Sequence, residues 1–120
     1  MSASKQESKI NKTENPFFND VYDVVRQVPE GRATSYVAIA AYLGNNRGAR
    51  MVGWAMSRTY GRPDVPAHRV VNKEGELTAR DLFETPTTMQ ERLENEGLEI
   101  IDNKIQNWKE RFWDPEKELN

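Results

Sequence analysis

Two short helical segments separated by only a few residues constrain the fold of this chain more than any other feature of its sequence. The first, TSYVAIAAYLG, begins with Thr34 or Ser35 as its N-cap, is rich in alanine and ends at Gly44. The second, NNRGARMVGWAMSRT, begins with Asn45 or Asn46 as its cap. This arrangement predicts a helix-turn-helix, although helices joined in this way also occur in plain bundles.

The rest of the sequence predicts a mainly α-helical chain with one small β-hairpin. Apolar residues recur with helical spacing over residues 17–28 and again over residues 89–96. The segment HRVVNKEGELT, which turns over residues 72–75, is typical of a hairpin. A short apolar strand and an aromatic pair at i and i+4, Trp108 and Phe112, follow near the C-terminus.

The ends of the chain differ in composition from its middle. Residues 1–15 are polar and predict a disordered N-terminal arm. Residues 16–115 are expected to form one domain and residues 116–120 a short C-terminal tail. No apolar run approaches the ~18 residues of a membrane helix, and the N-terminus does not resemble a secretory signal. We therefore expect a cytoplasmic protein without a membrane partner.

Cysteine is absent from the sequence, and histidine occurs once, at His68. Without a thiol the chain can form no disulfide, no thiolate nucleophile and no cysteine metal site. A single histidine leaves too few ligands for zinc. The composition therefore predicts a protein that uses neither a metal nor another cofactor.

The formal net charge of −2 hides an uneven distribution of basic residues. Residues 26–73 contain eight basic and two acidic side chains, and seven of the eight basic ones are arginines. Such a section favours contact with a polyanion, although a run of charge is as often an ordinary solvated face.

The second helical segment concentrates this charge on one side. At about 100° per residue, its basic face contains Arg47, Arg50, Trp54 and Arg58. The opposite side contains Ala49, Val52, Gly53 and Met56. The basic face suits phosphate binding with stacking, and the alternative is an exposed face with Trp54 half-buried against a neighbour. A glycine inside a helix indicates a close approach to Gly53, either by another helix or by DNA.

Four motifs occur in the order of a known family: SY at the start of the first helix, GARMVGWAM in the second, then VPAHRVV and a later EG. They resemble the DNA-binding domain of the O6-alkylguanine-DNA alkyltransferases. The resemblance implies a winged helix-turn-helix-like domain that enters the minor groove. In those enzymes a cysteine accepts the alkyl group where this sequence has Ala67. This substitution is characteristic of the alkyltransferase-like proteins, which bind the lesion without repairing it.

The resemblance also implies roles for individual residues. Arg50 matches the residue that enters the base stack in place of the flipped nucleotide, and Tyr36 matches the tyrosine that crowds the target phosphate. The DNA contacts expected from the basic face and the resemblance together are Ser35, Tyr36, Arg47, Ala49, Arg50 and Gly53. The implied lesion pocket consists of Tyr36, Ala67, the backbone at Val70, and Arg80, a loop arginine able to donate to guanine O6 or N7.

His68 and Glu96 match the pair that activates the cysteine in the enzymes. With Ala67 beside them, we expect instead a structural hydrogen bond that holds the turn in shape. Thr59 stands where the family usually has an asparagine that braces the recognition helix against the site.

The function implied is a non-enzymatic sensor of O6-alkylguanine in double-stranded DNA. Such a sensor would act as a monomer, flip the damaged base and mark it for nucleotide excision repair proteins. Two alternatives remain open on the residues alone. A small helix-turn-helix regulator would bind DNA without base flipping, and a glycosylase would use His68 and Glu96 as acid and base.

Overall fold

The computed structural model describes residues 15–44, 48–59 and 62–119, which form six α-helices and two two-stranded sheets. The helices are α1 (Pro16–Arg26), α2 (Tyr36–Tyr42), α3 (Ala49–Ser57), α4 (Thr88–Asn95), α5 (Trp108–Arg111) and α6 (Pro115–Glu118). The strands are β1 (Thr34–Ser35), β2 (Val70–Val71), β3 (Ile100–Ile101) and β4 (Lys104–Ile105), and 3-10 turns cover Ala67–Arg69 and Arg80–Leu82. The predicted mainly helical architecture is confirmed. No helix in these ranges is long and apolar enough to cross a membrane.

Both ends of the described domain are fixed by helix caps. Asn15, the only residue of the expected arm within the described ranges, caps α1 through its side-chain oxygen, which accepts from the Phe17 amide at 2.8 Å. Residues 116–118 of the expected C-terminal tail belong to α6, which Asp114 caps and in which Pro115 takes the first helical position. Leu119 then packs against the core.

The predicted helix pair is present as α2 and α3, which pack against each other. Ser35 is the N-cap of α2, and its hydroxyl accepts from the Ala38 amide at 3.1 Å. Gly44 follows that helix with a φ of +75°, a left-handed conformation that favours glycine. The N-cap of α3 is Gly48, so the expectation of an asparagine cap is wrong; residues 45–47 lie outside the described ranges.

Two buried clusters form the core, and β2 joins them. The first cluster gathers the inner faces of α1, α2 and α3 and includes Val70, whereas the second gathers α4, both strands of the β3–β4 pair and Val71. Consecutive strand residues point to opposite faces, so the two residues of β2 contribute to different clusters. The turn that precedes β2 therefore lies where the two halves of the core meet.

The small β-hairpin lies elsewhere than predicted. Strand β2 pairs in parallel with β1, with Thr34 opposite Val70, and the antiparallel pair is β3 with β4. The turn at residues 72–75 is real, since the Gly75 amide donates to the Asn72 carbonyl at 3.0 Å. After this turn, however, Glu76 bridges to Lys104 rather than extending a ladder with β2. Pairing with segments distant in sequence therefore replaces the expected local hairpin.

The cap of α2 gives a test of the fold. Ser35→Ala is expected to lower the free energy of unfolding by about 1 kcal/mol, because the Ala38 amide loses its acceptor. Ser57→Ala is the control: its exposed hydroxyl only donates to the Trp54 carbonyl, and we expect a change within about 0.5 kcal/mol. Urea denaturation measures both variants, and equal losses would contradict the assignment of Ser35 as the cap.

Candidate nucleic-acid interface

A shallow groove of about 480 Å³ lies where α2 and α3 meet the loop after β2. It brings together four of the six predicted DNA contacts, which are Tyr36, Ala49, Arg50 and Gly53. Of the other two, Ser35 is buried at the helix cap and Arg47 lies outside the described residues. Arg50 is exposed in the first turn of α3, so its guanidinium is available to a ligand in the groove.

The faces of α3 differ from the sequence prediction. Its buried residues are Val52, Ala55 and Met56, whereas Ala49 and Gly53 line the groove on the same side as Arg50. A Cβ atom built on Gly53 would meet no heavy atom of the described residues within 4 Å, so no helix in the described ranges approaches there. The space beside Gly53 is therefore open toward the groove, and contact with DNA there stays a prediction.

Trp54 and Arg58 extend the exposed side of α3. The Trp54 side chain is 53% exposed, and Arg58 is exposed at the end of the helix. About half of the Trp54 surface is therefore buried, which fits both the stacking interpretation and the alternative of an exposed basic face. Arg50, Trp54 and Arg58 follow one another at i, i+4 and i+8, which keeps them on one side of the helix.

Tyr36 is the first residue of α2 and is partly buried at the edge of the groove. Burial raises the pKa of its phenol, and a hydrogen bond with the Thr78 side chain offsets part of this effect. The hydroxyl therefore remains protonated at neutral pH, and it can act as both donor and acceptor.

A larger cavity of about 900 Å³ opens beside the turn that contains Ala67 and His68. Its walls come from the end of α3, the segment 62–69, the loop 79–84 and Arg92 of α4. Thr59 lies in the wall and ends α3 by donating from its hydroxyl to the Met56 carbonyl at 2.7 Å.

The structure separates the predicted lesion pocket into parts. Ala67 lines the cavity, but Tyr36 lines the groove and Val70 is buried in the first core cluster. Arg80 is not part of either wall; its half-exposed guanidinium lies 3.9 Å from the carboxylate of Asp81. The roles of these residues toward a damaged base stay predictions.

Several charged side chains of the cavity wall were not predicted from the sequence. Arg26 donates to Asp64 at 2.8 Å, and this hydrogen bond lowers the pKa of Asp64. Arg92 donates to Glu84 at 3.2 Å and lies over the ring of Phe83, 5.6 Å from its centroid. These pairs join segments far apart in sequence or across an irregular loop, and no motif or periodicity identifies them.

The expected pair of His68 and Glu96 is present and includes a third residue. His68 Nε2 lies 2.7 Å from Glu96 Oε2, and each side chain is 12% exposed. Arg69 donates to the same carboxylate from Nε, at 3.1 and 3.2 Å, and from a terminal nitrogen at 2.8 Å. Its other terminal nitrogen donates to the Val28 carbonyl at 2.8 Å. Arg69 belongs to the VPAHRVV motif, but its bond to Glu96 was not predicted from the sequence.

The pKa values in this cluster show which groups are charged. Burial lowers the pKa of His68, and the neighbouring Arg69 and Arg92 act in the same direction against the opposing effect of Glu96. Burial alone would raise the pKa of Glu96, but hydrogen bonds from Arg69, His68 and the Gly31 amide lower it overall. At neutral pH the cluster therefore contains a neutral imidazole that donates to an ionised carboxylate, whose charge Arg69 balances.

The chemistry available at the cavity is limited by the residue at its wall. Alkyl transfer to protein requires a soft nucleophile such as a thiolate, whereas Ala67 offers a methyl group and the sequence contains no cysteine. In the described part of the chain, no group of three histidine, cysteine or acidic residues could hold a metal ion. The geometry thus suits binding rather than acceptance of an alkyl group.

Comparison with known proteins gives a consistent result. The family model "6-O-methylguanine DNA methyltransferase, DNA binding domain" matches residues 16–98. The chain belongs to this family. It is an alkyltransferase-like member, since Ala67 stands at the acceptor position, and its fold is of the helix-turn-helix type with α2 and α3 as the pair.

Three relatives show how far the similarity extends. Alkyltransferase-like protein 1 of Schizosaccharomyces pombe is 37% identical over 103 residues, covering 82% of this chain and 95% of that protein. The DNA base-flipping protein of Escherichia coli is 40% identical over 79 residues, covering 64% of this chain and 60% of that protein. A crystal structure of S. pombe Atl1 in complex with damaged DNA containing O6-carboxymethylguanine has a TM-score of 0.75 and 36% identity, covering 85% of this chain and 98% of that one.

The neutral His68 gives a pH-dependent prediction. Its folded pKa lies below the ordinary value of 6.5, so the stability it contributes is complete above pH 6.5 and is lost as the pH falls toward the folded pKa. We expect the free energy of unfolding to decline more steeply, as the pH falls below 6.5, in the wild type than in His68→Gln, which can still donate to Glu96.

Urea denaturation at several pH values measures this difference. His68 is the only histidine in the chain, so no second imidazole contributes to the comparison. Glu96 adds its own loss only as the pH falls below its ordinary value of 4.5, since its folded pKa is lowered. Identical pH profiles for the two proteins would show that His68 is not held neutral.

Proposed function

We propose that this protein is a non-enzymatic sensor of O6-alkylguanine in duplex DNA. It binds the minor groove through α3, turns the damaged guanine out of the helix into the cavity at Ala67 and transfers no alkyl group. The relative whose structure contains damaged DNA with O6-carboxymethylguanine supports a damaged-DNA ligand, because its chain is covered almost completely by this one.

The observation that carries the proposal is the cavity that opens where the family's nucleophile would stand. Its volume of about 900 Å³ lies within the range of small-molecule sites, which is about 300–1,000 Å³. Ala67 contributes only a methyl group to its wall, so space remains beside an O6 substituent. The cluster of His68, Glu96 and Arg69 keeps the wall in shape. The reaction that the His68–Glu96 pair serves in the transferases is lost.

Base extrusion costs a few kcal/mol, which the protein must offset with contacts made only in the extruded complex. Arg50 is exposed at the groove and can fill the gap in the base stack. Ala49 and Gly53 present little side chain beside it, and a Cβ atom on Gly53 would meet no described heavy atom within 4 Å. Together they allow the backbone of α3 to approach the minor groove closely.

The direct experiment compares binding to two duplexes that differ in one base. One contains a single O6-methylguanine and the other contains guanine, at the same near-physiological salt concentration. We expect a clear preference for the lesion, with no label transferred to protein from a radiolabelled methyl group. Equal binding to both duplexes would leave a helix-turn-helix protein that contacts DNA without base flipping, and base release would reveal a glycosylase.

Arg50→Ala separates insertion into the base stack from ordinary phosphate contact. We expect the variant to lose at least tenfold more affinity for the lesion duplex than for the guanine duplex, because only the flipped complex has a gap to fill. Arg58→Ala is the control: it removes an exposed arginine from the end of the same helix and should weaken both duplexes equally. Fluorescence anisotropy measures both variants. Equal losses of affinity for the two duplexes with Arg50→Ala would show that Arg50 only contacts phosphate.

Ala67→Cys tests whether the surrounding site still has the geometry of a transferase. The new thiol would stand beside His68, and we expect slow, single-turnover methyl transfer from O6-methylguanine DNA that the wild type lacks. Mass spectrometry of the protein, which would gain one methyl group, measures the transfer. His68→Gln in the same background should slow it. Lesion binding without any methylated protein would show that the activating geometry has not survived.

We further propose that the bound lesion is passed to nucleotide excision repair proteins by a monomeric sensor. A protein that binds the alkyl group but cannot remove it changes the outcome only if another activity acts on the complex. Incision of an O6-alkylguanine duplex by a reconstituted excision system, with and without the protein, tests the transfer. Unchanged incision would remove this step from the proposal, and the mass of the protein–DNA complex in solution gives its stoichiometry.

A further inference from the structure

The loop that follows β2 forms one wall of the groove beside α2 and α3. Asn72, Lys73 and Glu74 contribute to this wall, with Tyr36 and Arg50 among the residues that complete the groove. Lys73 is exposed, and no ion pair engages its ammonium group within residues 15–44, 48–59 and 62–119. Its charge is therefore available to a ligand in the groove.

The shape of this loop is fixed from within. The Asn72 side-chain oxygen accepts from the amides of Glu74 at 3.0 Å and Glu76 at 2.8 Å. Gly75 has a φ of +84°, which disfavours other residues, and its amide donates to the Asn72 carbonyl at 3.0 Å. These bonds set the turn but do not determine how it is oriented toward the groove.

The C-terminal segment supplies that orientation. The indole nitrogen of Trp108 donates to the Lys73 carbonyl at 2.9 Å. The same ring covers Gly75 so closely that a Cβ atom there would lie 3.0 Å from Trp108 Cδ2. The Ile105 amide donates to the Gly75 carbonyl at 2.9 Å, and Phe112 packs on the indole with 5.3 Å between ring centroids.

We propose that Lys73 contacts the DNA backbone and that Trp108 is the residue that positions it. The inference rests on the proposed function only in taking duplex DNA as the ligand of the groove. Orientation matters because Lys73 and Glu74 are adjacent and carry opposite charges: the phosphates attract the first and repel the second. Trp108 lies beyond the family-model match, which ends at residue 98. Its bond to the Lys73 carbonyl holds the loop so that the lysine side chain faces a ligand in the groove.

The dependence of affinity on salt concentration tests the contact. Log affinity falls as log salt concentration rises, and each phosphate neutralised in a duplex adds about 0.9 to the steepness of this slope. We expect Lys73→Gln to lower this slope by nearly that amount on an undamaged duplex, with a loss of affinity of several-fold. Lys109→Gln removes an exposed lysine from α5, outside the groove, and is the matched control with an unchanged slope.

Trp108→Phe then tests positioning. It keeps a ring beside Gly75 but removes the donor to the Lys73 carbonyl. We expect it to lower the slope in the Lys73 protein and to cause no further decrease in a Lys73→Gln background. A merely structural role would reduce stability and leave the slope unchanged. Phe112→Leu removes the ring that packs on the indole, should lower the slope likewise by loosening Trp108, and provides the test if Trp108→Phe fails to fold.

The outcomes are separable. An unchanged slope with Lys73→Gln would overturn the contact, and additive losses in the double variant would overturn positioning by Trp108. If the wild type showed no preference for O6-methylguanine but these slopes changed as expected, the sensor function would fail and the present inference would stand. If the lesion preference held while the slopes did not change, the sensor function would stand and the present inference would fail.

Discussion

One carboxylate at the end of α4 holds together the parts of the structure on which the site depends. Glu96 accepts hydrogen bonds from His68, from Arg69 and from the amide of Gly31, which belong to segments far from it in sequence. Removing Arg69, whose guanidinium balances the largely buried carboxylate, would leave that charge uncompensated, which costs about 3–5 kcal/mol. Glu96 therefore links the turn at Ala67, the approach to β1 and the end of α4, in addition to the direct pairing of β1 with β2.

This arrangement explains why a histidine and a glutamate remain when the nucleophile is absent. Arg69 already balances the charge of Glu96, and burial favours the neutral imidazole, so the cluster adds no net charge to the cavity wall. In a transferase the same imidazole would serve the acceptor thiol. Next to Ala67 its hydrogen bond instead orients the turn that forms the cavity and leads into β2. The shape of the site and its reactivity are thus separable properties of the same residues.

The sequence predicted those features that local periodicity and motifs determine. The helices α1, α2 and α4, the pairing of His68 with Glu96 and the groove residues around Arg50 follow from spacing or from the resemblance. Non-local pairing was not predictable. Strand β2 has only two residues and could pair on either side. Its actual partner is β1, in which Thr34, 36 residues earlier in the sequence, lies opposite Val70. The orientation of α3 depended on the same kind of information, because helical periodicity alone does not tell which neighbour Ala49 and Gly53 face.

A sensor that forms no bond to its ligand must discriminate entirely through the binding equilibrium. In a transferase a slow, irreversible step can follow a short-lived extruded complex, whereas in the proposed sensor the cost of extrusion would have to be offset for as long as the complex lasts. Any movement of the site during binding would add to that cost. Such a protein gains from surfaces that are rigid beforehand: the cavity wall held by Glu96, the capped start of α2 beside Tyr36, and the loop covered by Trp108. In the proposed sensor, loss of the nucleophile would therefore make the supporting hydrogen bonds more important to function, since they keep in shape the surfaces that distinguish one base from another.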